Sequence, residues 1–445
     1  MVASTNENGS APGSAPSVTP ASYVRTVIAG TIGNGLEAFD FAVYGIFATY
    51  IAKTFYPTQG AFVGLLLTVA TFGIGFLARP VGAAVLGAYA DRAGRKAALT
   101  LTILMMGLGT GLIGVLPGYD SIGVAAPILL VVARLIQGFS AGGEIGSAIA
   151  LMMESSPDNK RGSTVAWQVA SQPLALIVSG LIGFTLTQLL SPEELQAWGW
   201  RIPFFVGMSI IPVGMYIRAS LDETLPEEPS YENNGQLFRD LLSSHKFPLA
   251  MCTLIIGGIA INQYFFSYMT TYALTTLKLS AGTAMLAPLV SGVIGAVFAL
   301  AGGYIADRFG LLAINIVPRL LLMVIAYPLF SYSATHPGAI VFLLTIMCLV
   351  ALNLLSYGTA ALVAAECFPR KLRATGYSLG YAIGVTVFGG TGQIVYTWLI
   401  HYTGNPTSPI FYVMFGTGVT LLAVLGALRH PRPRSYGLGA VSVRT

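Results

Sequence analysis

Gly87-Ala88-Tyr89-Ala90-Asp91-Arg92-Ala93-Gly94 and Gly303-Tyr304-Ile305-Ala306-Asp307-Arg308-Phe309-Gly310 are two copies of one pattern, G-x-x-x-D-R-x-G, in a chain of 445 residues. The copies lie 216 residues apart, and each follows a long apolar run. A second pair keeps the same rhythm. Glu154 and Arg161 are seven apart, as are Glu366 and Arg373, and the two pairs are offset by 212. Two agreeing offsets near half the chain length mean a duplicated unit. A duplicated unit inside a membrane points to a transporter built from repeated halves.

The composition puts the unit in a membrane. Charged residues make up 9% of the chain and hydrophobic residues 54%. Soluble domains carry about 25% charge, so this surface has to be solvated by lipid. Cys252, Cys348 and Cys367 are odd in number and form no C-x-x-C, which speaks against a disulfide framework or a metal site. Residues 1–22 are rich in Ser, Pro, Ala and Gly and lack an apolar core, so they read as a disordered tail rather than a cleavable signal.

A membrane-crossing helix needs about 20 apolar residues. Twelve stretches qualify: 26–54, 62–90, 97–117, 122–153, 162–190, 201–219, 247–277, 282–306, 311–332, 338–366, 373–401 and 408–428. The sequence therefore predicts an all-α membrane protein with twelve transmembrane helices in two pseudo-symmetric six-helix bundles. The bundles cover 23–219 and 247–428, joined by an acidic linker, 220–246, and followed by a tail, 429–445. With both termini on one side, that side receives 17 of the 23 Lys and Arg residues. This bias places the termini and the linker in the cytoplasm. It also accounts for the net charge of +5 without nucleic acid.

Both motif copies then fall in cytoplasmic loops. Their glycines permit close helix approach, and Asp91 and Asp307 are placed to cap the following helix, whose N-terminus favours an anion. Asp91, Arg92, Arg95, Glu154, Asp307, Arg308, Glu366 and Arg373 together make a candidate cytoplasmic gate. The second copy has Leu311 and Leu312 where the first has Arg95 and Lys96, which predicts a weaker latch there.

G-x-x-x-D-R-x-G-R-K after the second span resembles the signature of the major facilitator superfamily, and Arg134-Leu135-Ile136-Gln137-Gly138 resembles its second motif. Gly33-Asn34-Gly35-Leu36-Glu37-Ala38-Phe39-Asp40-Phe41, Arg79-Pro80-Val81-Gly82, Gln137 to Glu144 and Trp198 to Phe205 are similar to the metabolite–proton symporter branch. Within that branch, Ala48 to Phe55, Leu86 to Tyr89 and Trp167-Gln168-x-x-Ser171-Gln172 look most like bacterial citrate and tricarballylate–proton symporters. The resemblance spans nearly the whole chain and is stronger in its first half. It implies two bundles around a central cavity, alternating access, and a carrier of the bacterial inner membrane.

Six ionisable residues lie well inside spans: Glu37, Asp40, Arg79, Arg134, Glu144 and Arg319. Each charge at the bilayer centre costs about 2.5–3.5 kcal/mol on an insertion scale. Such groups must pair, neutralise or face water. Glu37 and Asp40 are i,i+3 and share a helix face. Two carboxylates there repel, and a shared proton relieves the repulsion, which suits proton coupling. Arg134, Gln137, Ala141 and Glu144 form one stripe, as do Gln168, Ser171 and Gln172. In the second half the polar set is Asn262, Gln263, Tyr264, Tyr268, Asn353 and Tyr357. Arg319 is placed either to reach the cavity or to pair with a helix carbonyl freed by Pro318.

Two familiar patterns are decoys. Gly138-Phe139-Ser140-Ala141-Gly142 fits a nucleophile elbow and Gly109 to Gly114 fits G-x-G-x-x-G, but neither follows a strand. Small-residue helix packing explains the first, and the second lies inside an apolar span. No phosphate-binding G-x-x-x-x-G-K-[ST] occurs. The expectation is a carrier rather than an enzyme, driven by a gradient. Protons are the expected coupling ion, with a sodium role open, and no other cofactor is implied. The expected cargo is a small organic anion, a di- or tricarboxylate such as citrate or tricarballylate. Arg79, Arg134, Asn34, Gln168, Ser171, Gln172, Tyr264 and Asn353 would bind it, while Glu37, Asp40 and Glu144 would carry protons. A monomer embedded in lipid is expected. Rival expectations are a shikimate-like aromatic acid, a betaine held by Phe39, Phe41, Tyr44, Tyr264 and Phe265, or a ligand sensor that does not transport.

Overall fold

The structure, a computed structural model, describes residues 20–93, 95–142, 156, 160–219 and 234–429. Regular structure among these residues is helical, and the helices make twelve spans. In the first half these are Pro20–Ile46 with Ala48–Phe55, Gly60–Leu77 with Arg79–Ala93, Arg95–Val115, Ala125–Ala141, Arg161–Leu189 and Ile202–Ala219. In the second they are Lys246–Thr275, Ala281–Phe309, Leu311–Thr335, Ala339–Glu366, a broken span over Arg370–Gly384 and Gly390–Thr403, and Pro409–Arg429. They are numbered spans 1 to 12 in that order.

Two boundaries differ from expectation. The first helix begins at Pro20, inside the stretch read as a disordered tail. Proline suits a first helical turn, where its missing N–H loses no bond. The stretch read as a plain linker contains the helix Asn234–Ser244. Leu241 in that helix is fully buried, which gives the segment an apolar anchor. Residues 220–233 lie outside the described residues.

The helix breaks have local causes. Span 2 interrupts at Ala78, just before Arg79 and Pro80. Proline cannot donate the bond an uninterrupted helix needs, and a neighbouring helix can tolerate the kink. Pro173 lies inside span 5 without interrupting it, and Gly292 and Gly295 of span 8 face it. A side chain at Gly292 would come within 2.6 Å of the Pro173 carbonyl oxygen. Span 11 passes through a π-turn, Val385–Gly389.

The two bundles meet along two seams. Span 5 runs against span 8 over its length. Span 2 runs against span 11, where a side chain at Gly73 would come within 2.3 Å of the Gly390 carbonyl oxygen. Thr386 Oγ1 donates to the Phe76 carbonyl across that seam at 2.8 Å. Small residues thus bring backbones together where lipid offers no hydrophobic drive.

Candidate transport site between the bundles

Between the seams lies a partly open cleft, about 640 Å³ of non-atom space with its open mouth included. Asn34, Glu37, Phe41, Arg79 and Gln172 line it from the first bundle, and Gln263, Tyr264, Ser267, Tyr357 and Tyr381 from the second. Glu37 and Arg79 form a buried ion pair in its wall, Oε1 to Nη2, at 2.7 Å. Span 1 supplies the acid. Span 2 supplies the cation at its proline break, where the chain restarts as a helix. Gln172 accepts from the Tyr357 hydroxyl at 3.4 Å, which joins the bundles across the space.

Asp40 takes a different neighbour from Glu37. The shared-face reading placed the two carboxylates together, and the structure separates their partners. Asp40 accepts from the hydroxyl of Thr110, and Gln137 Nε2 lies 3.4 Å away. Gln137 also donates to Thr110 at 2.9 Å and accepts from Arg134 Nη1 at 2.5 Å. The polar chain therefore runs Arg134, Gln137, Thr110, Asp40, through three helices. The G-x-G run of span 3 serves this packing. A side chain at Gly109 would meet Gln137 Cγ at 2.5 Å. The span 4 run Gly138 to Gly142 likewise meets span 2 backbone to backbone, and a side chain at Gly138 would sit 1.6 Å from the Gly75 carbonyl oxygen. Both decoy patterns are contact surfaces.

Arg134 does not line the space. Its guanidinium is fully buried beneath aromatic rings, 4.5 Å from the centre of Phe41, 4.6 Å from Tyr44 and 5.1 Å from Phe72. Arg79 also lies over Phe41, at 4.7 Å, and over Phe76 at 4.6 Å. Tyr264 of the second bundle packs edge-on against Phe72 and Phe76 at 5.5 and 5.3 Å. The aromatic cluster thus spans both halves, and its ring faces carry the cations.

The remaining expected ligands divide. Gln172 and Tyr264 line the space, while Gln168, Ser171 and Asn353 stand outside its lining. Asn34 Nδ2 donates to Ser171 Oγ at 2.6 Å and to the Gln168 backbone carbonyl at 3.2 Å. Gln168 thus reaches the site through its backbone. Asn353 accepts from Asn262, which also donates to Thr417 at 2.9 Å, so these amides tie spans 7, 10 and 12 together. Arg319 does not reach the space. Its guanidinium donates to the Asn315 side chain and carbonyl at 2.7 and 2.8 Å and to the Ser356 carbonyl at 3.0 Å. Pro318 would free the carbonyl of Ile314, one residue before the carbonyl that Arg319 takes.

Sequence reasoning missed Tyr381, Thr110, Phe72 and Phe76. The i,i+4 pairs Phe72/Phe76 and Tyr377/Tyr381 were available signals, since such pairs share a helix face.

At the gate, Asp307 caps a helix of the opposite bundle rather than the helix that follows it. Its carboxylate accepts from the backbone N–H groups of Gly162 and Ser163 at 2.8 Å each, and from the Ser163 hydroxyl. The start of span 5 is thereby held to the end of span 8. Gly303 makes this possible, because a side chain there would meet the Gly162 carbonyl oxygen at 2.7 Å. Arg308 lies over the ring of its neighbour Phe309 at 5.7 Å. Glu366 and Arg373 are buried where span 10 ends and span 11 begins. The side chains of Asp91, Arg92 and Arg95, and all of Glu144 and Glu154, lie outside the described residues.

Comparison with known proteins agrees with this architecture. The sequence pattern of the Major Facilitator Superfamily matches residues 30–384. The citrate-proton symporter of Salmonella typhi is 37% identical over 407 residues, 90% of this chain and 92% of that one. The glycine betaine/proline/ectoine/pipecolic acid transporter of Dickeya dadantii is 30% identical over 418 residues, 91% of this chain and 82% of that one. The xylose transporter of E. coli, in a partially occluded inward-open conformation, superposes with a TM-score of 0.70 at 17% identity. That alignment covers 94% of this chain and 99% of the xylose transporter, and it speaks to the fold. The chain is a multi-pass membrane protein of the Major Facilitator Superfamily, a family of transporters rather than enzymes.

Proposed function

We propose that the chain is a proton-coupled symporter that takes up a small organic anion, a di- or tricarboxylate such as citrate or tricarballylate, by alternating access. The Glu37–Arg79 ion pair in the wall of the inter-bundle space carries this reading. A buried guanidinium recognises carboxylate in bidentate geometry. While Glu37 is ionised it occupies Arg79. A proton on Glu37 removes that competing charge, and a substrate carboxylate takes its place. Proton and anion then bind together and leave together. Tyr264, Tyr357, Tyr381 and Gln172 supply hydrogen bonds from both bundles, so the substrate is gripped by both halves that must rock. Asp40 sits one helix turn behind, as a second protonatable group reached through Gln137.

Electrical work supports the coupling. Moving a trianion inward against 100 mV costs about 7 kcal/mol, and co-transported protons offset it. The similarity to a citrate-proton symporter points to the same cargo class. The Lys and Arg bias supports an inner-membrane carrier with both termini in the cytoplasm. A complete cavity within one chain supports a monomeric working unit. On this orientation the Asp307 cap, with Gly162 and Ser163, holds the cytoplasmic ends of the bundles together. The first motif copy, through Asp91, Arg92 and Arg95, would do the matching work, with Glu154, Glu366 and Arg373 as further gate residues.

A betaine fits less well. Its ammonium group needs an open aromatic face, and the guanidiniums of Arg79 and Arg134 already lie over Phe41. Like charge at that site would repel it. Uptake of labelled citrate into proteoliposomes under an imposed proton gradient tests the proposal. Competition by tricarballylate, and none by shikimate or glycine betaine, is expected. Gradient-driven glycine betaine uptake with no citrate uptake would overturn it.

A further inference from the structure

Arg134 is held in a manner that the transport scheme leaves unused. Its Nη1 donates to Gln137, yet Nε and Nη2 have no hydrogen-bond partner although both are buried. A guanidinium offers five donors, and donors left unmet in an interior are costly. Ring faces partly compensate the charge but accept no directed hydrogen bond comparable to an oxygen. Phe41 is the ring that matters, because it lines the inter-bundle space and also covers Arg134. The same ring lies against Arg79. The two guanidinium carbons, each within 4.7 Å of the ring centre, are therefore no more than about 9 Å apart.

Resting on the organic-anion reading above, we infer that Phe41 is a movable lid over a second carboxylate subsite formed by Nε and Nη2 of Arg134. A rotation of the Phe41 side chain away from Arg134 opens that guanidinium to the space without moving a helix. A monocarboxylate is satisfied by Arg79 alone. A molecule with two carboxylates a few carbons apart reaches Arg79 with one and Arg134 with the other. The lid thus selects for multiple carboxylates, and its closure over Arg134 when substrate is absent keeps a bare cation from facing the space.

The test is a titration of purified full-length protein with acetate, succinate and citrate, read by calorimetry, for wild type and four variants. Arg79→Gln is expected to weaken all three anions. Arg134→Gln is expected to weaken succinate and citrate by about 10–100-fold, as loss of a charge-assisted bond does, and to leave acetate unchanged. Phe41→Trp, a lid too large to swing, should imitate Arg134→Gln. Phe41→Leu keeps the apolar fill, removes the ring face that lies over both guanidiniums, and should tighten citrate by clearly more than acetate. If Arg134→Gln misfolds, the two Phe41 variants carry the test. Equal changes for acetate and citrate in these variants, or wild-type citrate affinity in Phe41→Trp, would overturn the lid while leaving the organic-anion reading intact. No binding of any of the three by wild type would overturn both.

Discussion

In the first bundle four charged side chains, Glu37, Asp40, Arg79 and Arg134, form one connected patch bound by an ion pair, amide relays and ring faces. The second bundle presents the same space with tyrosines, an amide and a serine, and satisfies its own mid-span guanidinium, Arg319, on two backbone carbonyls and Asn315. The halves share a helix plan and divide the electrostatic work. On the proposed scheme, charge that must be released and regained sits in a pair whose acid can accept a proton. Charge that only orders helices is tied to groups that do not titrate. On the same scheme, a neutral second wall would grip the substrate without a second set of ions to desolvate.

Substitutions can break this division, beginning with the strongest. Arg79→Gln removes the cation of the cavity wall and the ion-pair partner of Glu37. Initial uptake of labelled citrate should fall at least about 100-fold, and retention of wild-type uptake would break the scheme. Arg319→Ala should act on stability instead. Three satisfied acceptors and a buried volume are lost, a cost of about 2–4 kcal/mol. The melting temperature should drop while the KM for citrate stays within about threefold. A large KM change with normal stability would make the second bundle a charge site too. Asp307→Ala removes an anionic cap that links the bundles, worth about 1–2 kcal/mol. Cysteines placed in the cavity should then label faster from the motif end of the molecule. Tyr381→Phe deletes one hydroxyl beside Arg79 and should raise KM by roughly 3–10-fold with kcat little changed.

Much of the fold was legible because lipid imposes a simple rule: long apolar runs become helices, and repeated motifs mark repeated halves. The charged positions of the first bundle were also legible, since an ionisable residue inside a span is rare and conspicuous. Partners were harder. Helical spacing put Glu37 beside Asp40, but it could not show that Arg79 reaches one and Gln137 the other, because those contacts come from different helices. Arg134 was legible as a cation and not as a covered one, for its covering rings look like ordinary apolar residues. Asn353 and Gln168 stand outside the lining of the space for a related reason: a polar side chain in a span satisfies helix packing as readily as a ligand. Asp307 was expected to cap its own chain neighbour, and only the close approach at Gly303 and Gly162 carries it to the other bundle.

The hand-over of Arg79 from Glu37 to the substrate is tested most directly by Glu37→Gln in proteoliposomes, with citrate entry and external alkalinisation recorded together. The neutral amide imitates the protonated acid. Citrate exchange across the membrane should persist, while citrate-driven proton entry and uphill accumulation disappear. Proton entry at the wild-type ratio to citrate in that variant would contradict the role assigned to the pair.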